Sequence, residues 1–264
     1  MNPIEIEYRR ESGVATVWLN RPDKKNAVGF DAMRALVAAA GKLRTDRSVR
    51  VVVLAGRGGT FCAGMDLADL NNPANRKTAV WELVKPGRSL FQAAALVWQD
   101  LPLPVLCAVE GHCLGAGVQL ALGADIRFAT PQSQWAVLEA RWGIVPDMGI
   151  SRTAQGVVRQ DVLRELTYSG RVFSGEQAAA YGLVTHLSEQ PLAAAYDLAA
   201  ELAQRSPDAH VGAKRIVQTM QHKPLKTLRM EKIWQLKLLL GKNQRRAVKK
   251  DRDPHTEFLP RQFD

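Results

Sequence analysis

The chain has 264 residues, of which 46% are apolar and 23% charged, and its formal net charge is +10. That length can bury a full core, and the composition excludes disordered, collagen-like and disulfide-stapled classes. No apolar run approaches the about 18 residues that a membrane span needs, and the first residues show neither a basic-then-apolar leader nor an Arg- and Ser-rich transit segment, so a cytoplasmic location is the expectation.

In chain order, residues 4–8 (IEIEY) and 14–19 (VATVWL) alternate as strands, with Ser12-Gly13 between them as a hairpin turn. Asp31 is placed to cap a helix that runs to about Arg44. Residues 51–55 (VVVLA) read as a buried strand that enters a turn, Gly59 to Leu67 (GTFCAGMDL). Residues 71–76 (NNPANR) read as a polar loop, and 81–101 mostly as a helix broken by Pro102 and Pro104. A strand at 105–109 then enters a second turn holding Gly111, Gly115 and Gly117, followed by an apolar helix at 118–122 and a strand at 125–129. Beyond a short segment at 136–141 and a loop at 142–149, helices are expected at about 150–157, 159–168 and 175–181, with a short strand at 183–187. Amphipathic helices follow at 192–204 and 207–221, the second opened by Ser206-Pro207. A long helix at 227–250 carries an apolar stripe of Leu228, Ile233, Trp234, Leu236 and Leu238 to Leu240, suited to packing on the core or on another subunit. Paired strands before a helix predict an α/β fold of repeated ββα units, with residues 1–200 as the core and 201–264 as a helical C-terminal region.

The two glycine turns carry the chemical signal. A strand that stops at a glycine turn and restarts as a helix leaves backbone N–H groups unpaired, backed by the positive end of the helix dipole. Two such turns side by side would offer two donors to an oxygen that gains negative charge. The alternative is a pair of ordinary strand-to-helix turns. Gly115-Ala116-Gly117 does not extend to a dinucleotide fingerprint, because Leu120 stands where the third glycine belongs. No GxSxG elbow or P-loop is present.

Cys62, Cys107 and Cys113 read as free thiols, and the scattered histidines form no HxxxH pair, so no metal site is expected. Cys62 lies beside the first turn without a nearby histidine to activate it. Residues 223–252 hold eleven Lys/Arg against Glu231 and Asp251, so most of the net charge sits in one segment. A nucleic-acid-binding protein is the rival reading of that segment, but it shows one aromatic residue, Trp234, and no recognition motif.

Several stretches together resemble the crotonase superfamily, the enoyl-CoA hydratases and isomerases. They are LNRPDKKNA (19–27), FCAGMDL (61–67), the turn from Gly111 to Gln119, ADIR (124–127), Glu139 with GIVP (143–146), and GRVFSGEQAAAYGLV (170–184). They occur in family order over nearly the whole chain. The resemblance implies a right-handed ββα spiral and an acyl-CoA substrate, with coenzyme A entering as part of that substrate and no permanently bound cofactor. It places the oxyanion donors at the N–H groups of Met65 and Ala116, and the substrate groove at Lys25, Ala27, Ala63, Gly64, Asp66, Leu67, Ala68 and Gly115. Asp66 also suits fixing its own loop, and Asp125 suits a structural ion pair.

The two acid/base positions of the family's hydratases fall on Gln119 and Glu139. An amide exchanges no proton near neutral pH, so Gln119 can orient water or substrate but cannot be the second acid/base. Glu139 in apolar company suits a general base, and Asp147 matches an aspartate seen in dienoyl-CoA isomerases of the family. The resemblance thus favours double-bond isomerisation of an enoyl- or dienoyl-CoA, with enoyl-CoA hydration close behind and acyl-CoA or C–C hydrolysis as a third option. It also implies a homotrimer or a dimer of trimers. An inactive oligomeric scaffold is the reading from another class, and Gln119 gives it substance.

Overall fold

The computed structural model describes residues 2–263 except 221–231, 234, 236 and 239, with residue 251 described by its backbone. Strands β1 (Ile4–Arg9) and β2 (Val14–Leu19) form the expected antiparallel hairpin. From β2 onward each neighbour is parallel: β3 (Val51–Gly56), β4 (Val105–Val109), β6 (Ile126–Ala129) and β9 (His186–Leu187) complete a six-stranded sheet in the order β1-β2-β3-β4-β6-β9. A smaller sheet, of β5 (His112–Leu114), β7 (Gln134–Ala136) and β8 (Phe173–Ser174), lies in the order β5-β7-β8.

The two sheets explain the repeat. After β4 the chain makes β5 and then helix α5 (Ala116–Leu122); after β6 it makes β7 and then a 3-10 helix, Glu139–Trp142. The earlier coils use single parallel bridges in place of full second strands, Val28 to Met65 and Cys62 to Cys113. Each coil therefore contributes one strand to the large sheet and one short stretch to the small one, as a right-handed ββα spiral.

Both faces of the large sheet are covered, so its parallel strands read as continuous apolar runs. Ala15, Val17, Leu19, Val52, Leu54, Val105 and Cys107 point to one face, under helices α1 (Phe30–Thr45), α4 (Leu90–Asp100) and α5. Val14, Trp18, Val51, Val53, Leu106 and Phe128 point to the other, under α9 (Pro191–Ala203).

The structure departs from expectation at three places. First, α1 begins at Phe30, with Gly29 as its N-cap; the carboxylate that takes the Phe30 N–H belongs to Asp69 (2.7 Å), not to Asp31. Second, residues 71–76 are not a loop. Asn72 caps helix α3 (Pro73–Val84) and Pro73 occupies its first turn, while the expected helix 81–101 is interrupted before Ser89 opens α4 with a capping box. Helix α3 has no buried residue, and Val80, Trp81, Leu83 and Val84 are exposed on it. Third, Leu228, Trp234, Leu236 and Leu239 of the expected 227–250 helix lie outside the described residues. Within them, α11 (Lys242–Arg252) follows Gly241, and Ile233 and Leu240 are exposed rather than packed on the core.

Helices α6 (Ile150–Thr153), α7 (Gln160–Ser169) and α8 (Gly175–Ala180) fill the interval before β9. Helix α10 (Pro207–Thr219) is pinned to the spiral by Lys214, whose ammonium donates to Trp98 O (3.1 Å), Leu103 O (2.9 Å) and Asp125 Oδ2 (2.7 Å). Asp125 has the structural ion pair expected of it, and its partner is this distant lysine.

Candidate active site

The two glycine turns lie side by side because the chain pairs them. Cys62 N donates to His112 O (2.8 Å) and Leu114 N to Cys62 O (3.0 Å), while Gly115 N donates to Ala136 O (2.8 Å). Glycine is required at Gly115 and at Gly117. Gly115 has φ +50 and ψ −112, and a Cβ at Gly117 would stand 2.6 Å from Cys62 O.

Within these turns the N–H groups of Met65 and Ala116 are left over. Val28 N donates to Gly64 O and Asp66 N to Val28 O, both at 2.9 Å, so the intervening Met65 N–H faces away from that bridge. Ala116 opens α5, where the first N–H groups have no intrahelical acceptor. Neither N–H has a protein acceptor among the described residues. The Met65 side chain packs against the core.

The loop carrying Lys25 and Ala27 is fixed beside the first turn by buried Asn26. Its Oδ1 accepts from Arg21 N (2.8 Å), and its Nδ2 donates to Arg57 O (2.9 Å) and Thr60 O (2.6 Å). Lys25 is left-handed (φ 48), and its carbonyl takes the Ala63 N–H at 2.9 Å. Burial, together with the Lys25 charge, holds the His112 imidazole below its ordinary range. Asp66 is engaged by the fold itself. Its Oδ1 caps α2 (Leu67–Leu70) by accepting from Ala68 N (3.1 Å) and Asp69 N (3.2 Å), and its Oδ2 meets Arg21 at 2.9 Å. Leu67 and Ala68 are exposed at the start of that short helix.

Glu139 is buried, 8% exposed, on the 3-10 helix after β7, and a Cβ built on Gly115 would lie 3.8 Å from its Oε1. Gln119, one turn along α5 from Ala116, donates from Nε2 to that Oε1 at 2.7 Å. The Gln119 carbonyl is also taken, by Met148 N at 2.8 Å. Glu139 Oε2 is buried with no protein partner among the described residues. Burial pushes the Glu139 carboxyl above its ordinary range; its own backbone N–H and Gln119 pull it back, and Asp147 pushes it up again. Asp147 is exposed as a residue, yet partial burial of its carboxyl raises it too, against the pull of its own backbone N–H. The two carboxyls are thus within electrostatic reach of each other and share one region with the glycine turns.

Cys62 is fully buried and its thiol is pushed up to about 12 by burial, so it is no nucleophile at neutral pH. The clamp made by Gln119 was not visible in the sequence beyond the presence of an amide at that position. The linchpin role of Asn26 had only the polar KKN stretch as a signal.

Known proteins resemble this chain in sequence and in fold. The family model described as enoyl-CoA hydratase/isomerase matches residues 9–257. A mitochondrial Delta(3,5)-Delta(2,4)-dienoyl-CoA isomerase of Mus musculus is 32% identical over 237 residues, covering 86% of this chain and 72% of its own length. A mitochondrial methylglutaconyl-CoA hydratase of Mus musculus is 32% identical over 218 residues, covering 80% of this chain and 67% of its own. The crystal structure of an enoyl-CoA hydratase from Bacillus anthracis superposes with a TM-score of 0.87 at 25% identity, over 98% of this chain and 99% of that one. The fold and the family match define an enzyme that acts on CoA thioesters. The chain belongs to the enoyl-CoA hydratase/isomerase family, within the crotonase superfamily.

Proposed function

We propose that the protein moves a double bond in an enoyl- or dienoyl-CoA. The thioester oxygen accepts from the N–H groups of Met65 and Ala116, with the α5 dipole behind the second, and these donors hold the negative charge of the enolate. Glu139, through Oε2, removes a proton from one carbon. The electron pair shifts along the conjugated system, and Asp147 returns a proton at a carbon further along. No water is consumed and no oxidant is needed.

The observation that carries this reading is at position 119. The residue there is an amide with both ends engaged, so Asp147 is the second carboxyl whose charge reaches Glu139. The resemblance to dienoyl-CoA isomerases supports it. The second reading, hydration, is favoured by the resemblance to a methylglutaconyl-CoA hydratase and would place a water between the same two carboxyls. Exposed Trp142, Ile144, Val145 and Tyr168 support assembly as a homotrimer or a dimer of trimers.

The test is incubation with 2-enoyl-, 3-enoyl- and dienoyl-CoA in deuterated water. Isomer formation with deuterium in the acyl chain, lost in both Glu139→Gln and Asp147→Asn, is the expected result. A 3-hydroxyacyl-CoA that survives Asp147→Asn would overturn it in favour of hydration.

A further inference from the structure

We propose that Gln119 is a positioning residue that clamps Glu139 by Oε1, leaves Oε2 as its one proton-exchanging oxygen, and ties that choice to the loop carrying Asp147. This rests on the reading of Glu139 as the base, and it changes the role expected of Gln119, which orients neither water nor substrate.

The amide's orientation follows from its partners. Met148 N–H can only donate, so it must face the Gln119 carbonyl at 2.8 Å; Nε2 then faces Glu139 Oε1 at 2.7 Å. An oxygen that accepts so short a bond is a poor place for a proton. A proton on Glu139 therefore resides on Oε2, which is buried without a protein partner and so remains available to a substrate. Met148 directly follows Asp147, so one side chain sets the position of both carboxyls. Gln119 itself is rigid, 1% exposed on a helix that is buried throughout.

The clamp predicts a pH signature. The charged groups around Glu139 are few. Arg141 lies on its own 3-10 helix and Asp147 on the facing loop, α5 has no charged residue, and β5 contributes His112. On α7, Asp161 and Glu165 are paired with Arg159 and Arg171, and Arg164 bonds Gln160. Among these, Asp147 is the group whose field reaches Glu139. Removing the Gln119 donor withdraws stabilisation from ionised Glu139, so its titration must move to higher pH.

The experiment compares wild type, Gln119→Leu and Gln119→Glu in pH-dependent turnover and in carbon-13 NMR titration of labelled glutamate, with Glu139 assigned through Glu139→Gln. In Gln119→Leu, kcat falls by about 10–100-fold with KM within about threefold, and the acid limb and the Glu139 resonance both shift upward. Gln119→Glu keeps the acceptor for Met148 N–H, and its carboxyl can donate only while protonated. Its activity is therefore rescued at lower pH, and a further loss at high pH, beyond the one that ionisation of Asp147 gives wild type, appears as the new carboxyl ionises. Unchanged Glu139 titration in both variants overturns the clamp, whatever the turnover shows. If Gln119→Leu does not fold, the Gln119→Glu profile decides alone. If wild type turns over no thioester, the proposed function fails, while the titration still decides the clamp.

Discussion

Replacing Lys214 with Met tests how the C-terminal helices are held to the spiral. The ammonium supplies three bonds, to Trp98 O, Leu103 O and the Asp125 carboxylate, from a side chain that is 9% exposed. Methionine restores most of the stem's packing but none of the donors. Asp125 would keep the Val105 N–H at 2.8 Å as its remaining close partner. Breaking a fully buried pair from one side costs about 3–5 kcal/mol; with the Asp125 side chain 28% exposed and its bond from the Val105 N–H surviving, this case falls lower, at about 2–3 kcal/mol at pH 7.5. That is a large share of the about 5–15 kcal/mol by which a domain is usually stable. The cost depends on pH with a definite sign. Burial already holds the Asp125 carboxyl above its ordinary range, against the pull of Lys214, and loss of Lys214 raises it further. A carboxyl whose folded pKa lies above its unfolded value favours the folded state when protonated, so the penalty must shrink as the pH falls through the folded value. Urea unfolding at fixed protomer concentration, at pH 5 and pH 7.5, measures this directly. Asp125→Asn and the double variant complete a cycle with an expected coupling of about 2 kcal/mol or more. Coupling under about 0.5 kcal/mol, or a penalty that grows on acidification, would refute the reasoning.

Glu139→Gln is expected to abolish deuterium exchange while stabilising the fold by about 1 kcal/mol, because it removes a buried carboxylate with an unsatisfied oxygen. Since burial raises the Glu139 pKa, that gain should grow as the pH rises from the unfolded value to the folded one, be complete above the folded value and vanish below the unfolded value in the same unfolding assay. Gly117→Ala sets a Cβ 2.6 Å from Cys62 O; the turns must part, at a cost of about 1–3 kcal/mol, and kcat should fall while CoA binding measured by calorimetry changes little. A colorimetric thiol reagent should titrate none of Cys62, Cys107 and Cys113 in the native protein and all of them in denaturant, because each is 0% exposed and burial raises each thiol.

What could be read in the sequence was what local chemistry decides. Both glycine turns, the first hairpin, the capped start at Ser206-Pro207 and the buried strands of the large sheet stood out because their signals lie within a few residues. The misses have a common cause in signals that are long-range or ambiguous. Asp69 caps α1 from a distant turn, so Asp31 looked like the cap. Asn72-Pro73 opens a helix with the same residues that mark a loop, and only the chain beyond it shows which. Strands β5 and β7 are too short for a period of two to be visible. At the site, Glu139 and Asp147 were legible as carboxyls but their proximity was not, and the use of both ends of the Gln119 amide depends on contacts that only folding brings together.

Helix α3 stands outside this framework. The chain leaves the stacked coils after α2 and rejoins them at the Ser89 capping box, and between these points α3 has no buried residue. Its attachments are few, chiefly Asn75 to Asp69, Glu82 to the Leu90 N–H and Ala79 against the core. The glycine turns and Glu139 are held by the coils on either side. Evolution can therefore lengthen, shorten or exchange this excursion as a cassette while the coils on either side stay as they are. The same two junctions are where a protein engineer would graft the corresponding segment of a relative.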